Sequence, residues 1–153
     1  MSRGVRTAVW ILFVLYVLTM LLLLFYPDRN GYDAQTGYWE LFRSNYNLVP
    51  FATIRLYTYV LANNVTAYRH AAIVNLFGNI FTFIPLGIFL PLLFEKCRKP
   101  MLTLIVSACF ICLIEITQLF TLTGCCDIDD LILNMIGVAV GLVLYRITNL
   151  AKG

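Results

Sequence analysis

The sequence predicts an all-α membrane protein, a four-transmembrane-helix bundle with both termini cytoplasmic and an aromatic-rich interfacial segment between the first two helices. Three observations carry that expectation. The 153-residue chain is 61% hydrophobic and only 12% charged, about half the charged fraction of an average soluble domain. Its mean hydropathy is +0.84. Four apolar runs, Ala8–Tyr26, Ala71–Phe94, Met101–Leu122 and Leu131–Ile147, each come close to the ~20 residues that cross a hydrocarbon core about 30 Å thick. One membrane domain over residues 1–153 is the natural division. A net charge of +3 is too small to imply a nucleic-acid partner.

Taken in order, the first run (about 8–26) follows Arg3 and Arg6. It is too long for a signal peptide, and "LLLLFYPD" has no small-residue cleavage site, so it reads as a retained helix. The segment 27–70 opens on the turn formers "YPDRNGYD". It continues with Tyr38, Trp39, Phe42, Tyr46, Phe51, Tyr57 and Tyr59, rings suited to a membrane–water interface. A short interfacial helix or re-entrant piece packed over the bundle is expected there. The second span (about 71–94) contains Pro85, Gly87 and Pro91; proline is tolerated in a membrane helix where neighbours satisfy the freed carbonyls. Lys96, Arg98 and Lys99 fill the turn to the third span (about 101–122). In the fourth span (about 131–147), Gly137 and Gly141 form a G-x-x-x-G step, expected to pack inside the bundle. With four crossings, the basic residues at 3, 6, 96, 98, 99, 146 and 152 fall on one side. The positive-inside rule makes that side the cytoplasm.

The acidic residues are distributed unevenly. "IEITQLFTLTGCCDIDDLILNMIG", residues 114–137, holds Glu115, Asp127, Asp129 and Asp130, half of the chain's eight acids. Asn75 and Asn79 lie four apart on the second span, Glu115 and Gln118 three apart on the third, and Asp130 and Asn134 four apart on the fourth. Such spacings place each pair on one helix face. All three pairs fall in the outer half of the membrane, and the inner half has no comparable set. A buried carboxylate at the bilayer centre costs about 2.5–3.5 kcal/mol. Glu115 is therefore expected to be protonated, to pair with Arg55 or Arg43, or to face a wet cleft. The predicted binding cleft comprises Asn75, Asn79, Glu115, Gln118, Asp127, Asp129, Asp130, Asn134 and Arg55. No cofactor is expected, although Asp127, Asp129 and Asp130 are oxygen donors suited to a divalent cation. The adjacent Cys125 and Cys126 are expected to be reactive thiols or a redox-sensitive pair.

Together, "NLVPF" (47–51), "NLFGNIFTFIPLGIFLPLL" (75–93), "IEITQLF" (114–120) and "DIDDLILNMIGVAVG" (127–141) resemble the VanZ-like family. The resemblance carries an acidic motif onto Asp127, Asp129, Asp130 and Asn134. A helix motif falls on Glu115 and Gln118, and an asparagine–glycine–proline helix on Asn75, Asn79, Pro85 and Gly87. Many members have a basic residue shortly before the acidic motif, where this chain has Gly124, Cys125 and Cys126; Arg55 or Arg69 is expected to take over its neutralising role. The resemblance implies a protein of the bacterial cytoplasmic membrane, mostly of Gram-positive organisms. It also implies a link to reduced susceptibility to the lipoglycopeptide teicoplanin.

Three functions compete. The first is a protein whose outer cleft binds or shields an amphiphile, a lipid-linked cell-wall precursor or a lipoglycopeptide, beside membrane lipid. The second is a small membrane enzyme with Glu115, Asp127 and Asp130 as acid/base groups or metal ligands. Against it, no nucleophile–base arrangement is visible, and His70 sits at a helix entrance. The third, a transporter, lacks both an inner polar track and an inverted repeat. The sequence favours the first.

Overall fold

A computed structural model describes residues 2–25 and 36–150, with side chains through residue 148. Among these residues the chain forms six α-helices: α1 (Arg3–Leu24), α2 (Tyr38–Ser44), α3 (Ala52–Ala62), α4 (Thr66–Leu93), α5 (Pro100–Thr121) and α6 (Ile128–Leu150). Four of them, α1, α4, α5 and α6, are long and apolar enough to cross a membrane. The expected turn "YPDRNGYD" lies outside the described residues.

The spans begin earlier than the apolar runs suggest, because polar residues are incorporated into their first turns. α4 starts at Thr66, before the apolar stretch, and α6 starts at Ile128 with Asp129 and Asp130 in its first turn. Acids there face the positive end of the helix dipole. Pro100 opens α5 at a position where the missing N–H costs nothing.

α4 and α6 are the central pair, and glycine sets their separation. A Cβ on Gly137 would lie 2.2 Å from the Ile80 carbonyl oxygen, one on Gly141 2.0 Å from that of Ile84, and one on Gly87 2.1 Å from that of Val138. Backbone therefore meets backbone along three steps of the interface, as small residues allow in membrane helices. The G-x-x-x-G step packs inside the bundle. Pro85 and Pro91 both lie within one continuous helix. In the turn that Pro85 interrupts, the Tyr16 hydroxyl of α1 donates to the Thr82 carbonyl at 2.8 Å. Phe83, Leu86, Leu90, Ile111, Ile114 and Val138, with Met20 and Leu24 of α1, form the buried core.

Between α1 and α4 the chain doubles back over one end of the bundle. α2 lays Phe42 on Phe120 at a centroid distance of 5.4 Å, and Tyr38 donates to the Phe120 carbonyl at 2.8 Å. The next residues form β1 (Tyr46–Asn47), which pairs in parallel with β2 (Cys126–Asp127). α3 then runs back toward α4. The expected interfacial helix is thus two short helices tied to the α5–α6 connection by a two-residue ladder. At the opposite end, a 3-10 turn (Glu95–Arg98) joins α4 to α5.

Candidate functional site

The capped end is organised by carboxylates. The N-cap of α3 is Phe51, which has φ 64° and makes no side-chain capping bond. Left-handed backbone costs a non-glycine residue about 1–2 kcal/mol. It lets several N–H groups of the first turn converge, and Asp129 of α6 receives them. Asp129 Oδ1 accepts from the Phe51 N–H, and Oδ2 accepts from Thr53 and Ile54 at 2.8 and 3.0 Å. These N–H groups would otherwise be orphans of the helix start. Asp129 is fully buried, with the N-terminus of α3 directed at it.

Asp127 performs the complementary task. Its Oδ1 accepts from the Asp129 N–H at 2.8 Å, which caps α6. Its Oδ2 accepts from the Thr53 hydroxyl and from Asn47 Nδ2, the latter at 3.3 Å. Asn47 in turn donates to Thr53 Oγ1 at 3.0 Å and accepts from the Val49 N–H at 3.2 Å. Gln118 is also committed to structure: its amide donates to the Leu24 carbonyl at the C-terminus of α1, at 2.9 Å.

Below this frame lies a second polar group. Glu115 is buried on α5, and its Oε2 accepts from the Asp127 N–H at 3.4 Å. Asn79 of α4 donates to Asp130 Oδ1 at 2.6 Å and to Asn75 Oδ1 at 3.4 Å, linking α4 to α6. Asn134, one turn deeper than Asp130 on α6, is 1% exposed. Its Oδ1 is buried without a hydrogen-bond partner. An unsatisfied buried acceptor costs about 1–3 kcal/mol, so native structures seldom keep one without a reason. The opposite half holds Thr103, bonded to the Cys97 carbonyl, and Ser107, whose Oγ is buried without a partner.

A family model described as VanZ/LLP1 matches residues 13–149. The chain belongs to the VanZ/LLP1 family. Comparison with curated proteins and with solved structures gave no match. Family membership and four membrane-length helices together make this a VanZ-like, multi-pass membrane protein.

Within this VanZ-like chain the structure sorts the predicted site residues. Asp127, Asp129 and Gln118 hold the frame, whereas Asn75, Asn79 and Asp130 form one bonded chain beside Glu115 and Asn134. Arg55 lies exposed on α3. It takes no part in the hydrogen bonds that hold Asp127, Asp129 and Glu115 in place. Backbone N–H groups, Thr53 and Asn47 hold Asp127 and Asp129. Among the described residues, no group of three His, Cys, Asp or Glu side chains could hold a metal ion.

Cys125 and Cys126 are both free thiols. Part of Cys125 reaches the surface, yet the packing around its thiol pushes it up to about 11, and the Asp127 and Asp130 carboxylates add to the shift. Cys126 is raised as well, first by burial and then by Glu115 and Asp127. Negative surroundings disfavour the thiolate, which is the reactive form. The sequence reading missed Asn47, Phe51 and Thr53 as partners of the acidic motif. The signal was available in "NLVPF", where an asparagine two residues before Val49 suits an Asx turn.

Proposed function

We propose that this VanZ-like protein binds or shields the headgroup of an amphiphile at the outer leaflet, with both termini cytoplasmic and the α2–α3 cap on the outer side. Its ligand class is a lipid-linked cell-wall precursor or a lipoglycopeptide, and the outcome is reduced teicoplanin susceptibility. One observation carries the reading: beneath a fully bonded frame, Asn134 Oδ1 is buried with no partner, one turn below the Asn75–Asn79–Asp130 chain. Such a group awaits a donor, and hydroxyl, amide or amine groups of a glycosylated or peptidyl headgroup supply one. The exposed aromatic residues of α2, with Trp39 at 67% exposure, suit the interfacial depth from which an amphiphile would enter.

The experiment is a susceptibility panel of lipidated and non-lipidated glycopeptides in a deletion strain, complemented with wild type, Glu115→Gln, Asp130→Asn or Asn134→Leu. Binding predicts that Glu115→Gln keeps partial function, since shape and hydrogen bonding survive, while Asn134→Leu loses it. Equal susceptibility with and without the gene removes the antibiotic reading.

A second reading, a small membrane enzyme, draws on the buried Glu115 carboxyl hydrogen-bonded to the N–H of the acidic connection. It requires proton transfer by Glu115 and so predicts complete loss in Glu115→Gln.

A further inference from the structure

At the end of the bundle opposite the cap, a groove of about 720 Å³ opens between α1, the C-terminus of α4, the 3-10 turn and the start of α5. Its walls are apolar, with Phe13 from α1, Leu90 from α4, and Leu102 and Val106 from α5. Its mouth carries Arg6 and Lys96 from two separate elements, with Glu95 beside them. The volume falls within the ~300–1,000 Å³ of small-molecule sites. Lys96 lies three residues past the end of α4, a position that suits the membrane–water boundary, and Trp10, a residue type enriched there, meets Phe94 edge-on at 5.4 Å.

We propose that this groove binds one anionic phospholipid, phosphatidylglycerol, with an acyl chain along the Phe13–Leu90–Val106 wall and the phosphodiester held by Arg6 and Lys96. Charge complementarity decides the occupant. Two cations against one carboxylate leave the mouth net positive, and Arg98 and Lys99 continue the basic run. Glu95 refines the choice. A glycerol headgroup offers it hydroxyl donors while keeping the lipid's net negative charge, which a choline headgroup does not do. The apolar wall excludes a free phosphate as the natural occupant, because most of the groove has no polar group to meet one. The site is separate from the polar group at the capped end and does not depend on its function.

The test uses the full-length protein in detergent, with native mass spectrometry of lipid retention. Phosphatidylglycerol, phosphatidylethanolamine and phosphatidylcholine are added in equal amounts. One phosphatidylglycerol is expected to be retained in preference to both others. The double variant Arg6→Gln/Lys96→Gln should weaken its retention about tenfold or more, the scale of losing two cations that meet an anionic headgroup. Both side chains are exposed, so the fold should tolerate the change, and a thermal melt on the same sample checks this. Arg146→Gln, an exposed α6 cation outside the groove, should leave retention unchanged. Equal retention of the three lipids, preference for the ethanolamine lipid, or an equal loss with Arg146→Gln would each overturn the proposal.

Discussion

Asp129 shows how a residue that reads as a ligand can instead be a fastener. An acid beside a membrane invites a cation or a substrate, yet both of its oxygens are occupied by N–H groups of another helix. Asp129→Ala strands those donors in a buried place, each costing about 1–3 kcal/mol. The variant is expected to lose about 3 kcal/mol or more in a detergent unfolding titration. Asp129→Asn should lose nearly as much, because an amide nitrogen would face N–H donors. A variant D129N as stable as wild type would contradict the role given to Asp129. Cys125 makes a second prediction at this scale. Its thiol is raised to about 11, so the protonated form dominates at neutral pH and the thiolate accumulates only as pH climbs toward that value. Iodoacetamide labelling of Cys125, followed by mass spectrometry across pH 7–11, should be slow at pH 8 and still rising at pH 10. A plateau by pH 9 would refute the shift.

At the scale of elements, the α4–α6 interface is set by glycine rather than by side-chain interlock. The Gly141 position leaves a Cβ only 2.0 Å from the Ile84 carbonyl oxygen, which belongs to backbone and cannot swing away. Gly141→Val must therefore push the helices apart, stretching the Asn79–Asp130 bond that spans them. The expected result is a marked fall in melting temperature together with loss of function. Gly4→Val is the control, since nothing lies within 4 Å of its Cβ, and it should change neither. The cap is held differently, by polar bonds at helix starts and a two-residue ladder, so substitutions at Asn47 or Thr53 should loosen α3 without separating the spans.

For the whole molecule, parity settles much. Four crossings would put residues 95–99 and both termini on one side and residues 123–127 on the other. Reporter fusions at the C-terminus and within 95–99 should report the cytoplasm, and a tag placed after Thr123 the exterior. A cytosolic signal from the 123–127 connection would reverse the orientation and move the proposed ligand to the other leaflet. α1 is the least enclosed span, with 11% of its apolar window buried against 39% for α4. It meets the rest through the Tyr16 hydrogen bond, the Gln118 bond to Leu24 and its aromatic contacts. The groove at the basic end lies along this loosely packed side.

From the sequence alone came the membrane class, the four membrane-length spans and the glycine packing face. Each depends on a quantity that accumulates along the chain: apolar length, or residues recurring at one helical turn. Tertiary structure decided what the polar residues do. Asp127 and Asp129 carry the same carboxylate chemistry as Glu115 and Asp130, and no spacing rule distinguishes them or singles out Gln118. Their roles depend on N–H, hydroxyl and carbonyl groups 74 to 94 residues away in the chain, at Phe51, Thr53 and Leu24. A hydrogen bond is satisfied by proximity in space, and only the fold supplies that.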